Sequence, residues 1–332
     1  MLLKNLINNL NSKIGNERIR GISLDSRNIK KGDIFVSIKG NRFDGNRYIE
    51  QAISRGAKAV IYSGSLKKKY KKAKLIKVKD TKSKLAEICS KYYKKKPKNI
   101  IAVTGTNGKT SVSDFFHQIF TLQKKRVGSL GTLGFKKNNH LKQRELTTLD
   151  SLHLNKDLYE MKKSNIDNVI IEASSHGLRQ KRLDFLNIKA GIFTNLSHDH
   201  LDYHKSMKDY FSSKLILFKK ILKKKSVIIA DSEIKQYNIF KDIQKKRNLK
   251  LFGIGNEGNT FKVLNHKIFN NFQLLRVQYN KRIYNLKINL YGSVQIKNLL
   301  MAILACKICG LNIKDIFKRI NKIKSVDGRL EL

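Results

Sequence analysis

From residue 98 onward, short apolar runs alternate with stretches of helical period. The pattern predicts strands over 100–104, 168–173, 188–194, 226–230 and 249–253, and helices over about 110–122, 207–222 and 233–246. The runs are apolar at nearly every position rather than every second one, which suits strands covered on both faces. Strand, helix, strand in repetition then predicts an α/β fold with a mostly parallel sheet between helices. The segment 271–290 differs: FQLLRVQY and RIYNLKINL flank a polar Asn280-Lys281 turn and predict an antiparallel appendage. Helices are expected over 293–309, closed by Gly310, and over 312–323. Earlier in the chain, shorter runs at 34–38, 59–62 and 75–78 accompany a helical stretch over 48–55 ended by Gly56 and an amphipathic segment over 85–93. They predict a smaller α/β domain. The sole proline, Pro97, sits in KKKPK and marks the expected boundary between domains 1–96 and 97–327.

Length is consistent with two domains, since the chain has 332 residues. The charge changes the picture less than its size suggests. Lys+Arg number 70 and Asp+Glu 25, a net +45, which alone points to a polyanionic partner. Yet Lys, Asn and Ile are abundant together, as when codons are A/T-rich, and the lysine runs 67–69, 94–96 and 223–225 fall at element ends. No basic stripe interleaved with aromatics is present, so nucleic acid is not an expected partner. Cys89, Cys306 and Cys309 have no metal-ligand spacing and read as reduced thiols. The start MLLKNLINNL is too short and too polar for a signal peptide, and no run reaches ~18 apolar residues. A cytoplasmic chain without membrane insertion is expected.

Chemistry concentrates at three places. IIAVTGTNGKTSV reads as a buried strand, a glycine-rich turn and a helix start, the arrangement in which backbone N–H groups wrap a phosphate chain. Lys109 adds a point charge there and Thr110 a hydroxyl within reach of a magnesium ion. The ordinary G-x-x-x-x-G-K-T spacing would put its first glycine at Val103, so Gly105 is shifted inward. Next, VIIEASSHG puts Glu172 at the carboxyl end of one strand, and GIFTNLSHDHLDYH puts His198, Asp199, His200, Asp202 and His204 just beyond another. Ligands of open parallel sheets bind at that edge. A hydrolase reading of Ser174, Ser175 and His176 lacks a nucleophile elbow. Finally, at ~100° per residue, Met207, Tyr210, Phe211, Leu215, Leu217, Phe218, Ile221 and Leu222 share an arc of roughly 160°, and Lys214 falls near its middle. A lysine there must snorkel, shift its pKa, find a partner or be modified.

With TGTNGKT, EASSHG, TNLSHDHLDYH and the lysine helix, the chain resembles the Mur ligases, ATP-dependent amide-forming enzymes of peptidoglycan precursor synthesis. The segment LDSRNIKKGDIFVSIKGNRFDGNRYIEQAISRGAKAVI is similar to the UDP-binding domain of the members that add a diamino acid to UDP-N-acetylmuramoyl-L-alanyl-D-glutamate. The resemblance implies UDP-substrate contacts from Leu24, Ser26, Asn41, Arg42, Phe43, Thr147, Thr148, Ser174, Gln180 and Arg182. It implies an ATP site formed by Gly105, Thr106, Asn107, Gly108, Lys109, Thr110, Ser111 and Asn298. Thr110, Glu172, His200 and a carbamylated Lys214 match positions around Mg2+, and Lys109, Glu172, His200 and Lys214 are the expected catalytic set. His198 and His204 have no assigned role. Gln295 stands where the family usually has asparagine. VDGRLEL resembles the hinge before a third, Rossmann-like domain, so 328–332 reads as the start of a hinge and that domain is expected to be missing. The implied partners are the UDP-muramoyl-dipeptide, ATP and a diamino acid, meso-diaminopimelate ahead of L-lysine, on a monomer. The competing readings are a non-catalytic binding fragment, a ligase like folylpolyglutamate synthase, and a nucleic-acid binder.

Overall fold

The computed structural model describes residues 1–8, 12–40, 44–66, 68, 70–138, 140–143, 146–199 and 203–326. It divides into two compact units. The first comprises Met1–Lys95, Leu149–Tyr159 and Gln180–Phe185, and the second Lys96–Thr148, Glu160–Arg179 and Leu186–Leu332.

In the first unit, β1 (Ile22–Ser23), β2 (Ile34–Val36), β3 (Ala59–Tyr62) and β4 (Lys74–Lys77) form a parallel sheet in that order. Side chains alternate across it, so Ile34, Val36 and Ile61 enter one apolar cluster while Phe35 and Val60 enter another. The helices α1 (Ser12–Gly15), α2 (Ile49–Ser54) and α3 (Thr81–Tyr92) lie wholly within this unit. Asp80 starts α3 by accepting hydrogen bonds from the N–H groups of Lys82 and Ser83 at 2.9 and 3.0 Å.

The second unit contains an 11-stranded sheet. Its parallel part runs, in spatial order, β13 (Phe261–Ile268), β12 (Lys250–Gly255), β11 (Val227–Asp231), β10 (Ile188–Phe193), β5 (Asn99–Thr104), β9 (Asn168–Glu172) and β6 (Gly128–Gly131). Antiparallel strands extend both edges: β14 (Gln273–Tyr279) and β15 (Arg282–Ile288) beyond β13, β7 (Gly134–Lys137) and β8 (His140–Lys142) beyond β6. The helices are α4 (Lys109–Leu122), α6 (Ser175–Arg179), α7 (Met207–Ile216), α8 (Tyr237–Arg247), α9 (Ser293–Ile308) and α10 (Ile313–Phe317), and the division between the units crosses α5 (Ser151–Lys163). One large apolar cluster joins α4 and α9 to the sheet through residues such as Phe116, Ile119, Ile192, Ile229 and Leu300. Phe193, Phe211, Phe218 and Phe240 form an aromatic group beside α7 and α8.

The expected α/β organisation with an antiparallel appendage is the observed one. Some elements differ from the sequence expectation. The helix expected over 207–222 is α-helical only to Ile216 and continues as a π turn, Leu217–Ile221. The helix expected over 233–246 begins at Tyr237. The last helix stops at Phe317, followed by a 3-10 turn, Ile320–Lys322. The appendage has three strands rather than two, because β13 pairs parallel with β12 and antiparallel with β14. Five of the eight residues of β13 (FKVLNHKI) are exposed and its polar positions do not alternate, so it carries no buried-strand signature. The Asn280-Lys281 turn is as expected, with φ of +48° and +63°, the geometry of a type I′ hairpin.

Candidate active site

In the parallel sheet β5 and β10 are neighbours, and the chain runs from β5 toward β6 on one side but from β10 toward β11 on the other, so the connections diverge between these two strands. A crevice opens at such a point, at the carboxyl ends of the strands. The glycine-rich loop leaves β5 into that crevice. Gly105 has φ +147°, and a Cβ there would lie 1.9 Å from the Thr194 hydroxyl at the end of β10. Gly108 is left-handed at φ +84° and caps α4 without a side chain, so no capping side chain stands at the N-terminus of that helix, the end that favours an anion.

The segment after β10 fastens the loop. Asn195 Oδ1 accepts from the Asn107 N–H at 3.0 Å, the Thr106 hydroxyl donates to the Ser197 carbonyl at 3.2 Å, and the Thr194 hydroxyl donates to the Asn107 carbonyl. Lys109 Nζ lies along the loop, donating to the carbonyls of Gly105 at 3.1 Å and Thr106 at 2.7 Å.

Lys214 is 1 % exposed. Its Nζ donates to the same Gly105 carbonyl at 2.7 Å and sits 4.1 Å from the Tyr210 ring centroid. Burial first, then the nearby Lys109 charge, lowers its pKa to about 7. Of the possibilities left open by the helical projection, snorkelling is not realised: the lysine is buried, has a backbone partner and has a lowered pKa. At pH 7 a large share of Lys214 is a neutral, nucleophilic amine.

Glu172, at the end of β9, is 1 % exposed. Oε2 accepts from the hydroxyls of Thr110 at 3.1 Å and Thr132 at 3.0 Å, and Oε1 accepts from the Thr132 N–H at 3.1 Å. Burial pushes its pKa above the usual carboxylate range, against the pull of Thr132, Lys109 and Thr110. A buried carboxylate beside the first-turn hydroxyl of a phosphate-type loop is a hard oxygen donor set of the kind Mg2+ takes, one or two carboxylates completed by phosphate and water. These residues fit the ion. Among the described residues no three His, Cys, Asp or Glu side chains come together as a metal cage, and His200 lies outside the described residues.

Asn298 and Gln295, on α9, are buried and joined by a 3.3 Å bond from Asn298 Nδ2 to Gln295 Oε1. A Cβ at Gly108 would meet Asn298 Oδ1 at 2.6 Å, so this amide borders the loop. Ser111 is buried in the first turn of α4. Thr147, Thr148 and Ser174 share a hydroxyl cluster next to Glu172: Thr148 Oγ1 donates to the Glu172 carbonyl at 2.8 Å and lies 3.0 Å from Ser174 Oγ, while Thr147 Oγ1 lies 3.2 Å from Thr132 Oγ1. His198 is exposed. His204 is buried, with Nε2 3.0 Å from the Ser175 hydroxyl and Nδ1 3.5 Å from Asp209. It connects α6 to α7.

A separate cavity of about 650 Å³ belongs to the first unit. Four of the expected UDP-substrate residues, Leu24, Ser26, Gln180 and Arg182, line it, with Phe35 and Gln51. The Ser26 hydroxyl donates to Gln51 Oε1 at 2.6 Å, and Arg182 donates to Gln180 Oε1 at 2.8 Å. Asn41, Arg42 and Phe43 lie outside the described residues. Sequence reasoning did not single out Thr132, Gln51 or Phe35, and it named Tyr210 only as part of the apolar arc around Lys214. Only the glycine-flanked GTLG that contains Thr132 offered a local signal.

Two family models match the chain, the Mur ligase middle domain over residues 103–306 and the Mur ligase family catalytic domain over residues 18–93. A UDP-N-acetylmuramoyl-L-alanyl-D-glutamate--2,6-diaminopimelate ligase of Rickettsia montanensis is 36% identical over 327 residues, 97% of this chain and 68% of the relative. A solved structure of a ligase of that same name superposes with a TM-score of 0.88 at 25% identity, covering all of this chain and 68% of the other. The apo form of L. casei FPGS shares the fold at a TM-score of 0.59 and 12% identity, over 72% of this chain and 66% of the other.

Proposed function

The chain belongs to the Mur ligase family, carbon–nitrogen ligases of peptidoglycan precursor synthesis, and we propose that it joins meso-diaminopimelate to UDP-N-acetylmuramoyl-L-alanyl-D-glutamate at the expense of ATP. The observation that carries the chemistry is the meeting of the phosphate-type loop, the buried Glu172 and the buried Lys214 amine at the carboxyl end of β5. The relative's name supports the choice of amino acid.

A carboxylate is a poor acyl donor because its leaving group would be oxide. In the proposed reaction the γ-carboxylate of D-glutamate attacks the ATP γ-phosphorus, releasing ADP and giving an acyl phosphate. The amine of the diamino acid attacks that carbonyl and loses a proton, and the tetrahedral intermediate expels phosphate to leave the amide. The protein aligns the reactants and neutralises charge. The loop from Gly105 to Ser111 is assigned to the phosphates, with Lys109 beside them, and Asn298 to the nucleotide end next to Gly108. Thr110, Glu172, His200 and Lys214 are the residues assigned to hold Mg2+, which when bound would offset phosphate charge. Lys214 is assigned to react with CO2: the neutral amine adds to carbon, loses a proton and becomes an anionic carbamate. The cavity lined by Leu24, Ser26, Gln180 and Arg182 is assigned to the UDP end of the substrate, and Thr147, Thr148 and Ser174 to its dipeptide. With ATP and a UDP-linked substrate, the proposed reaction is cytoplasmic; no helix among the described residues is long and apolar enough to cross a membrane.

The test is formation of tripeptide product and ADP from purified chain, UDP-muramoyl-dipeptide, ATP and Mg2+, with meso-diaminopimelate or L-lysine. The assay runs on the chain alone and with the remaining third of the relatives supplied separately. Diaminopimelate-dependent product is expected. Calorimetric binding of neither the UDP-substrate nor the nucleotide would overturn the reading, and lysine-dependent product would correct the amino acid.

A further inference from the structure

Glu172 and Thr147 belong to two parts of the proposed site, one assigned to magnesium and the other to the dipeptide, and one side chain outside both motifs touches both. We propose that Thr132 is a positioning residue that aims the Glu172 carboxylate at the magnesium ion and fixes the direction in which the Thr147 hydroxyl meets the substrate. The inference rests on the magnesium and substrate reading above.

Thr132 follows directly on β6 and grips both oxygens of the carboxylate, its N–H on Oε1 at 3.1 Å and its hydroxyl on Oε2 at 3.0 Å. Gly131 makes that approach possible, because a Cβ there would lie 2.1 Å from Glu172 Oε1. The grip fixes the rotation of the carboxylate about its terminal bond, a torsion otherwise broad.

The polarity of the network follows from proton counting. As a magnesium ligand Glu172 would be ionised, and an ionised carboxylate only accepts, while a hydroxyl has a single hydrogen. The hydrogens of Thr110 and Thr132 are both committed to Glu172. In the 3.2 Å contact between Thr132 and Thr147 the donor must then be Thr147. Thr147 is left presenting lone pairs, so it recognises a donor on the ligand, an amide N–H or hydroxyl, and not a carboxylate. Thr132 is itself an exposed residue, and nothing in its packing calls for a hydroxyl.

The experiment measures binding without turnover. The non-hydrolysable ATP analogue β,γ-methylene-ATP is titrated into the full chain at increasing MgCl2, and UDP-muramoyl-dipeptide in a parallel series, for wild type, Thr132→Val, Thr132→Ser, Thr147→Val and Glu172→Gln. Thr132→Val is expected to need about tenfold more Mg2+ for half-maximal nucleotide binding, the range seen when a group orienting a metal ligand is lost, while Thr132→Ser stays near wild type. Thr147→Val should weaken dipeptide binding and leave the Mg2+ requirement alone. Wild-type Mg2+ dependence in Thr132→Val, with that of Glu172→Gln abolished, would overturn the proposal. An unchanged Mg2+ dependence in Glu172→Gln would instead remove the magnesium reading, and the proposal with it. Should Thr132→Val fail to fold, a shift in the Mg2+ requirement on Thr147→Val would show the polarity to be wrong.

Discussion

The two ends of the parallel sheet handle lysine in opposite ways. At the carboxyl ends of β5, β9 and β10, Lys109 and Lys214 converge on one backbone carbonyl, near a glutamate that is 1 % exposed. Near the amino ends of β11 and β12, Lys225, Lys250, Lys262, Lys281 and Lys307 surround a cavity of about 820 Å³ with no acidic residue in its lining. Those five are all exposed. Lys307 lies in the last turn of α9, where the helix carbonyls favour a cation without any ligand. The contrast teaches that cavity size and charge count do not mark the chemistry of this protein. Burial against fixed backbone groups does, because a charge is perturbed and directed only where water cannot screen it.

The largest effect expected is that of Lys109→Ala. Removing the only side-chain cation within the loop should lower kcat/KM for amide formation about a thousandfold, near 4 kcal/mol of transition-state stabilisation, as for other placed groups at developing phosphate charge. Steady-state ADP release with saturating dipeptide measures it. A loss below about tenfold would mean that the loop lysine acts no more specifically than those of the opposite cavity.

Lys214→Met separates function from stability. The folded pKa is about 7 against 10.5 for an ordinary lysine. Between these values the unfolded chain binds a proton that the folded chain does not, so stability is lost as pH falls from 10.5 to 7 and stays low below that. In CO2-free buffer at pH 7, Met should raise unfolding free energy by about 3 kcal/mol in urea melts, while amide formation falls at least about a hundredfold. A variant that is both stable and fully active would refute the assignment of Lys214.

These two lysines also show how far the sequence carries. The loop, the strand ends and the apolar arc around Lys214 are each visible because a buried position leaves a hydrophobic trace around it. The grip of Thr132 on Glu172 is not visible, since it joins residues 40 apart through one exposed side chain and a glycine whose missing Cβ has meaning only in three dimensions. The same holds for the Ser26–Gln51 bond, across 25 residues. The half-polar β13, which lies between β12 and β14, and the late start of α8 escape the hydrophobic pattern because largely exposed strands and turn-like helix entries carry little periodicity. The cavity of the first unit could be populated from sequence only through the family resemblance.

His117 tests whether a displaced pKa by itself marks chemistry. It sits on α4, two turns beyond the phosphate-type loop, 3 % exposed, with Nε2 lacking a hydrogen-bond partner. Burial, helped by the Lys136 charge, lowers its pKa to about 4. The unfolded chain takes up this proton near pH 6.5 and the folded chain only near 4, so stability is full above 6.5 and falls as pH drops through that window. His117→Gln should flatten the fall by about 2 kcal/mol, measured by urea unfolding at pH 7, 5.5 and 4.5, and leave kcat unchanged. An effect on kcat comparable to that of Lys109→Ala would place α4's interior within the site and blur the distinction between its two ends.

The smallest effect is predicted for the most charged region. Replacing Lys250, Lys262 and Lys281 together by Gln removes three cations from the cavity at the amino ends of the strands while leaving every proposed ligand contact intact. Exposed charges separated from a ligand by more than about 8 Å are screened at physiological ionic strength. Surface substitutions of this kind typically shift stability by within about 0.5 kcal/mol each. The triple variant should therefore keep its affinity for magnesium-bound β,γ-methylene-ATP and for UDP-muramoyl-dipeptide within about twofold at 150 mM salt, with calorimetry as the measure. At about 10 mM salt the Debye length grows to roughly 30 Å, and a modest fall in nucleotide affinity is expected there from the lost long-range field. A fall at 150 mM as large as at 10 mM would mean that the cavity contacts an anion directly, and the exposed lysines would then join the buried pair as working parts of the protein.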